Sequence, residues 1–165
     1  MDAERKLVDC LLARLDEAYE GSPGHAFKSV VQGLSEDEAA WTPQGYRHPW
    51  GLDGSSLAII IHLGTVSVMM HDRIFGSGQL SREDVLARFE ADGADLAAAL
   101  RLAETGYRAL RGELDALCDD ELNRTCAFSK GWTMTLEQFF ARMVEHHLYH
   151  AGQLQYVRTL NGGKA

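Results

Sequence analysis

Three histidines stand in the sequence where apolar side chains would be expected. His146 and His150 are four residues apart in a segment whose apolar residues recur with helical spacing. On a helix such residues lie about 40° apart around the axis and about 6 Å apart along it, so both imidazoles can point at one spot. His62 lies in a second helical pattern, among isoleucine, leucine and valine. A metal ion shared by His62, His146 and His150 is the simplest account, because metal sites in helical bundles use side chains of facing helices.

The chemistry of neutral imidazole favours this interpretation. Burying an imidazole without partners for its ring nitrogens costs on the order of a few kcal/mol. Three neutral histidines leave an open coordination position, which is typical of a catalytic metal site and not of a closed structural one. Imidazole ligands suit zinc, nickel, copper and iron(II). The predicted cofactor is a divalent metal that the spacing alone does not identify. Zinc or nickel is expected first, with iron or manganese as alternatives.

Other arrangements of the same histidines stay open at this point. His147 and His150 are three residues apart and could chelate a metal without His146, although His147 also fits a helix interface. His62 alone could be an ordinary core residue. The metalloprotease motif His-Glu-x-x-His is excluded, because position 147 holds histidine instead of the glutamate that acts as base. Glu145 is expected to point outward, about 100° away from His146.

The remaining histidines and the first cysteine have weaker claims to a role. His71 is nine residues after His62, so it points to the opposite side of that helix, near the surface. His25 and His48 lie in or near loops, where they could rim a pocket. Cys10 is expected to be an inert core thiol of the first helix, because no neighbouring base in the sequence would activate it.

The periodicity predicts an all-α protein forming a single domain over residues 1–165. Ser35, Thr135 and either Ser55 or Ser56 are predicted helix caps, and Asn161-Gly162-Gly163 is a predicted helix stop. No stretch alternates with period two for long enough to predict a strand. The predicted helical segments are Ala3–Tyr19, Ala26–Leu34, Ser35–Trp41, the segment from the serine cap to Phe75, a short helix from Ser81 to Asp92-Gly93, Ala94–Leu117 and Thr135–Leu160.

Two longer connections separate these helices. Thr42–Gly54 contains two prolines, three glycines and Trp50, and it is either a connector or a lid. Of these two, the connector is favoured. Asp119–Trp132 is predicted to be irregular as well.

Charge and composition limit the classes of partner. The 165 residues include 16 basic and 24 acidic side chains, for a formal net charge of −8, and no basic cluster stands out. Nucleic acid is therefore not an expected partner. The longest apolar run, Leu57–Leu63, is too short for a membrane span, and the N-terminus lacks the apolar core of a secretory signal. Three cysteines at unrelated spacings favour a reduced, cytoplasmic protein. The expected partner is a small-molecule substrate.

Two histidine segments resemble those of a known family: Ile59-Ile60-Ile61-His62-Leu63 and His146-His147-Leu148-Tyr149-His150-Ala151-Gly152-Gln153. Together with the lead-in residues 34–38 and 41–43, they resemble the DinB/YfiT-like superfamily of metalloenzymes. The resemblance implies a four-helix bundle of up-down-down-up type, with short extra helices in the connections. It also implies a divalent metal on His62, His146 and His150, close helix packing at Gly152, and a homodimer. Ala151 departs from the family, where arginine often follows the last metal ligand.

The resemblance also suggests the reaction. Relatives of better-known function are thiol-dependent S-transferases or isomerases that use low-molecular-weight thiols such as bacillithiol or mycothiol. The expected activity is of this type, with a thiol as cosubstrate and with His147, Tyr149 and His71 as candidates for proton transfer beside the metal. One alternative is a metal-dependent hydrolase that activates water. Another is a non-enzymatic dimeric bundle with a structural metal or none.

Overall fold

Long helices dominate the computed structural model, which describes residues 4–21, 25–45 and 52–162. The helical content confirms the predicted all-α fold. In chain order the elements are α1 (Lys6–Asp16), a π-helical turn (Glu17–Gly21), α2 (Phe27–Val31), α3 (Glu36–Ala40), α4 (Ser56–Phe75), α5 (Arg82–Ala91), α6 (Leu96–Asp115), a 3₁₀ turn (Asp119–Asn123), β1 (Thr125–Ser129), β2 (Trp132–Thr135) and α7 (Leu136–Leu160).

Serine and threonine caps begin the helices that carry the candidate site. Ser55, not Ser56, caps α4, because its hydroxyl accepts a hydrogen bond from the backbone N–H of Ala58. Thr135 and Gln138 form the predicted reciprocal capping box at the start of α7. These caps satisfy N–H groups that lack partners inside the helix, and so fix where α4 and α7 begin.

Two glycines set the separation between α4 and α6, the most extensive helix pair in the protein. A Cβ atom at Gly64 would lie 2.7 Å from the backbone nitrogen of Ala103. A Cβ atom at Gly106 would lie 2.5 Å from the Cβ of Ser67. The backbones therefore approach more closely than larger side chains would permit, which fixes α4 against the bundle.

α4 is long and apolar enough to cross a membrane, judged by length and composition alone. The core helix of a soluble protein passes the same test, and α4 packs against both α6 and α7. Ile60 and Leu63 on α4 are fully buried in the core that these helices share.

A β-hairpin contradicts the predicted irregular connection over Asp119–Trp132. β1 and β2 pair antiparallel, with Thr125 opposite Thr135 and Cys126 opposite Met134, and Gly131 in the turn has a φ of +78°. The strands have only five and four residues, and most of their side chains are exposed, so the apolar alternation is too short to stand out. The half-buried Cys126 and Phe128, alternating with exposed residues, are the trace it leaves in the sequence.

The first helix differs from expectation at Cys10, which is exposed and not a core thiol. The buried stripe of α1 is formed by Val8, Leu11, Leu12 and Leu15. Cys10 precedes Leu11 by one residue, so it points about 100° away from that stripe.

Several predicted features fall on residues outside the described ranges. These are Ala3 at the start of the first helix, Gly163 in the helix stop, and residues 46–51 of the Thr42–Gly54 connection. His48 and Trp50 belong to the last group, so the choice between connector and lid stays a prediction.

Candidate metal centre

α4 and α7 pack against each other and bring three imidazoles together. The ring centroids of His62 and His146 are 5.5 Å apart, those of His62 and His150 are 4.9 Å apart, and those of His146 and His150 are 4.4 Å apart. One ring nitrogen from each residue can be chosen so that all three lie within 4.8 Å of one another. We call these three residues the histidine triad.

A hydrogen bond from His150 to Gln153 sets the tautomer of the His150 imidazole. Nδ1 of His150 lies 2.7 Å from Oε1 of Gln153, which can only accept, so Nδ1 carries the proton. Nε2 of His150 therefore presents its lone pair, 3.0 Å from Nε2 of His146. The amide nitrogen of Gln153 in turn donates to the hydroxyl oxygen of Tyr149 at 2.9 Å. An outer partner that fixes the tautomer is usual for a histidine that binds a metal.

His146 has the protonation state and the burial expected of a metal ligand. Burial, followed by the nearby His150, His147 and His62, lowers the pKa of His146 to about 2. Its imidazole is therefore neutral at pH 7, as coordination requires. Its Nδ1 is buried and has no hydrogen-bond partner among the described residues. Three neutral nitrogen donors with no carboxylate in the group fit a borderline divalent metal such as zinc or nickel.

Comparison with protein-family models gives a match to the DinB superfamily over residues 8–154. The chain belongs to the DinB superfamily. The match spans both histidine segments and nearly all of the bundle. Searches of curated proteins and of solved structures each returned no match.

In this DinB protein, His147 lies on the core side of α7 and outside the triad. It is fully buried, and its Nδ1 donates to the backbone oxygen of Met143 at 2.7 Å. Its ring packs edge-on against Tyr19, with centroids 5.8 Å apart. Burial lowers the pKa of His147, although the hydrogen bond to Met143 opposes that shift. The group of potential ligands that the structure brings together contains His146 and not His147.

The other two candidates for proton transfer lie at different distances from the triad. Tyr149 is 57% exposed, and its hydroxyl reaches the triad through Gln153. His71 is half-buried, with Nε2 3.1 Å from a carboxylate oxygen of Glu113 on α6. The structure thus connects Tyr149 to the triad and pairs His71 elsewhere.

A cavity of about 580 Å³ lies beside the triad, and we call it the triad cavity. Its walls come from α4, from the hairpin and from α7. The residues that line it are His62, Val66, Phe128, Trp132, Arg142, Met143, Glu145, His146 and Tyr149. The two hairpin aromatics were not predicted as site residues, because their segment was expected to be irregular. Arg142 was not predicted either, because an exposed arginine on a helix is ordinary. Two aromatics within five residues, just ahead of the helix that carries two of the histidines, were the available signal.

Gly152 and Glu145, which flank the two triad histidines of α7, are both exposed. Gly152 does not lie at a close helix contact, because it is exposed and a Cβ there would have nothing within 4 Å. Glu145 is exposed as predicted, and it also lines the triad cavity. His25 lines a different cavity, of about 510 Å³, between the first helical segment and α7.

Proposed function

We propose that this DinB protein is a divalent-metal-dependent enzyme that transfers a thiol to, or isomerises, a small electrophilic substrate. The observation that carries the proposal is the convergence of His62, His146 and His150 from two helices at the edge of a cavity of about 580 Å³. A site meant only for stability would not need an adjoining cavity large enough for a small molecule.

His62, His146 and His150 would hold the metal, with zinc or nickel favoured and iron or manganese as alternatives. When bound, such a cation supplies Lewis acidity that lowers the pKa of a thiol, so that the nucleophilic thiolate forms near neutral pH. A low-molecular-weight thiol is the expected cosubstrate.

The protein's own residues orient and shield the reaction. Gln153 holds His150 in one tautomer, which keeps the Nε2 lone pair directed at the triad. Because the Tyr149 hydroxyl accepts from Gln153, its own proton remains available to a group in the cavity. Val66, Phe128 and Met143 provide apolar walls that limit the access of water.

The test is turnover of a model electrophile, such as a chlorodinitrobenzene, with a panel of low-molecular-weight thiols and the zinc- or nickel-loaded protein. Thiol conjugation is expected above the uncatalysed rate and should fall at least about 100-fold in His150→Ala, because one of three ligands is lost. His71→Ala is the matched control and should keep most of the activity, since His71 pairs with Glu113 away from the triad cavity. Activity that survives His150→Ala would contradict the proposal.

Hydrolysis is a second candidate, supported by Glu145 on the wall of the same cavity. A carboxylate there could accept a proton from an attacking water molecule. Hydrolysis of an ester or amide would proceed without added thiol and would fall in Glu145→Gln. Thiol dependence in the assay above separates the two reactions.

A further inference from the structure

Arg142 places a positive charge on the wall of the triad cavity that no carboxylate of the described residues neutralises. Its guanidinium carbon lies 4.8 Å from the centroid of the Trp132 ring and 5.8 Å from that of Phe128. Within the described ranges its guanidinium makes no ion pair within 4.0 Å and donates no hydrogen bond. Contact with aromatic faces leaves the N–H groups at the edge of the planar guanidinium available to an acceptor.

The aromatic surface under Arg142 is held in place by the fold. Phe128 and Trp132 pack edge to face, with centroids 5.0 Å apart and ring planes at 66°. The backbone oxygen of Phe128 accepts a hydrogen bond from Arg73 of α4 at 2.9 Å, which ties the hairpin to the helix that carries His62. The aromatic surface under Arg142 is therefore held in place before any ligand arrives, which lowers the entropic cost of binding.

Among the described residues that line the cavity, the other charged one is Glu145, one helical turn after Arg142. The two side chains form no ion pair within 4.0 Å. The protein as a whole carries a formal net charge of −8, so its general field repels anions. Of the described charges in the cavity, Arg142 would attract an anionic group and Glu145 would oppose it.

We propose that the triad cavity accepts substrates that carry a carboxylate on an apolar, preferably aromatic, body. The carboxylate pairs with the guanidinium edge of Arg142, the body packs on Phe128 and Trp132, and the reactive group extends towards the histidine triad. The substrate class rests on the proposed function, but carboxylate recognition is measurable without any reaction.

The test uses two probes of nearly equal shape, 4-phenylbutanoate and its uncharged amide, titrated calorimetrically into the full chain. The carboxylate is expected to bind about three- to tenfold more tightly than the amide, the range for a charge-assisted pair that solvent still reaches. Arg142→Gln should reduce this ratio to about one, and Arg142→Lys should keep part of it because the charge remains. Glu145→Gln should increase the ratio, since a like charge is removed.

Arg82→Gln is the matched control, because Arg82 is an exposed arginine at the start of α5 that lines none of the cavities described above. In Arg82→Gln the ratio of carboxylate affinity to amide affinity should equal that of the wild type. All titrations are repeated after chelation, because a carboxylate could instead bind a metal on the triad. Equal binding of the probes, binding of neither, a preference that survives Arg142→Gln, or one lost on chelation would overturn the inference. Absence of thiol chemistry would count against the proposed function and leave a measured carboxylate preference intact.

Discussion

At the scale of single residues, the candidate site depends on neutral imidazoles held in the right tautomer. His150 is 1% exposed, and its Nδ1 proton is directed at Gln153. His146 is kept neutral by burial and by three neighbouring histidines. The imidazole lone pairs of the triad are therefore directed to one place before any metal binds. A protonated or rotated ring would not offer its lone pair there.

Gln153→Ala is expected to weaken zinc binding about 10- to 100-fold, because it removes the acceptor that fixes His150. The measurement is competition for zinc with a chromophoric chelator at pH 7. Gln155→Ala is the control, since Gln155 lies on the same helix and its side chain forms no hydrogen bond within the described ranges. Equal zinc affinity in the two variants would show that Gln153 does not position the ligand.

The sequence predicted the triad more completely than the cavity beside it. Histidines on the apolar stripes of two helices stand out, because each costs free energy unless it has a partner. The role of His147 was harder to predict, because its position in the sequence is compatible with both a metal ligand and a core residue. Its contact with Tyr19 in the structure shows that it faces the core. Arg142 carries no such signal, because an exposed arginine is ordinary on any helix.

At the scale of elements, the position of His62 depends on how closely α4 approaches α6. Gly64 and Gly106 permit this approach, and α4 then presents His62 to α7. The helices and several caps could be predicted from periodicity and from Ser or Thr before an apolar run. The hairpin could not, because strands of only five and four residues, most of them exposed, leave almost no period-two pattern.

Gly106→Ala is expected to destabilise the protein by about 1–3 kcal/mol, because the added methyl group would overlap Ser67 and force the two helices apart. Urea denaturation followed by circular dichroism gives the free energy of unfolding. Gly112→Ala on the same helix is the matched control, since nothing lies within 4 Å of its Cβ position. It should leave stability unchanged or raise it by up to about 1 kcal/mol. A similar effect of both substitutions would contradict the close-contact account.

Asp72, at the end of α4, is expected to make the stability of the protein fall in acid. The hydrogen bond from the backbone N–H of Leu80, followed by those from Ser77, outweighs desolvation and lowers the pKa of the Asp72 carboxyl. Because the pKa of Asp72 is lower in the folded state, its ionised carboxylate stabilises the folded protein at a pH above the unfolded-state pKa of about 3.9. This stabilisation is lost as the pH falls through the folded-state pKa.

Asp72→Asn should therefore be less stable than the wild type at pH 7, and the difference should shrink at pH 3. Urea midpoints at the two pH values measure it. Glu90→Gln, an exposed carboxylate on α5, is the control and should change little at either pH. A difference between wild type and Asp72→Asn that is the same at pH 7 and pH 3 would argue against an ionised Asp72 as the source.

At the scale of the whole molecule, membership of the DinB superfamily and the helical bundle agree with the prediction from the histidine motifs. The homodimer, the single domain, the cytoplasmic location and the thiol cosubstrate stay predictions. What joins the scales is that one bundle places three imidazoles, a cavity and an aromatic hairpin on the same side of α7.

The central claim is a shared metal on three histidines, and metal content tests it most directly. Protein prepared without an affinity tag would be analysed for metals by mass spectrometry, beside His62→Ala, His146→Ala, His150→Ala and the control His71→Ala. The account predicts about one divalent metal per chain in the wild type and in His71→Ala, and a large loss in each of the other three. Wild-type protein that stays metal-free after incubation with zinc or nickel, or loss of metal in only one of the three variants, would contradict it.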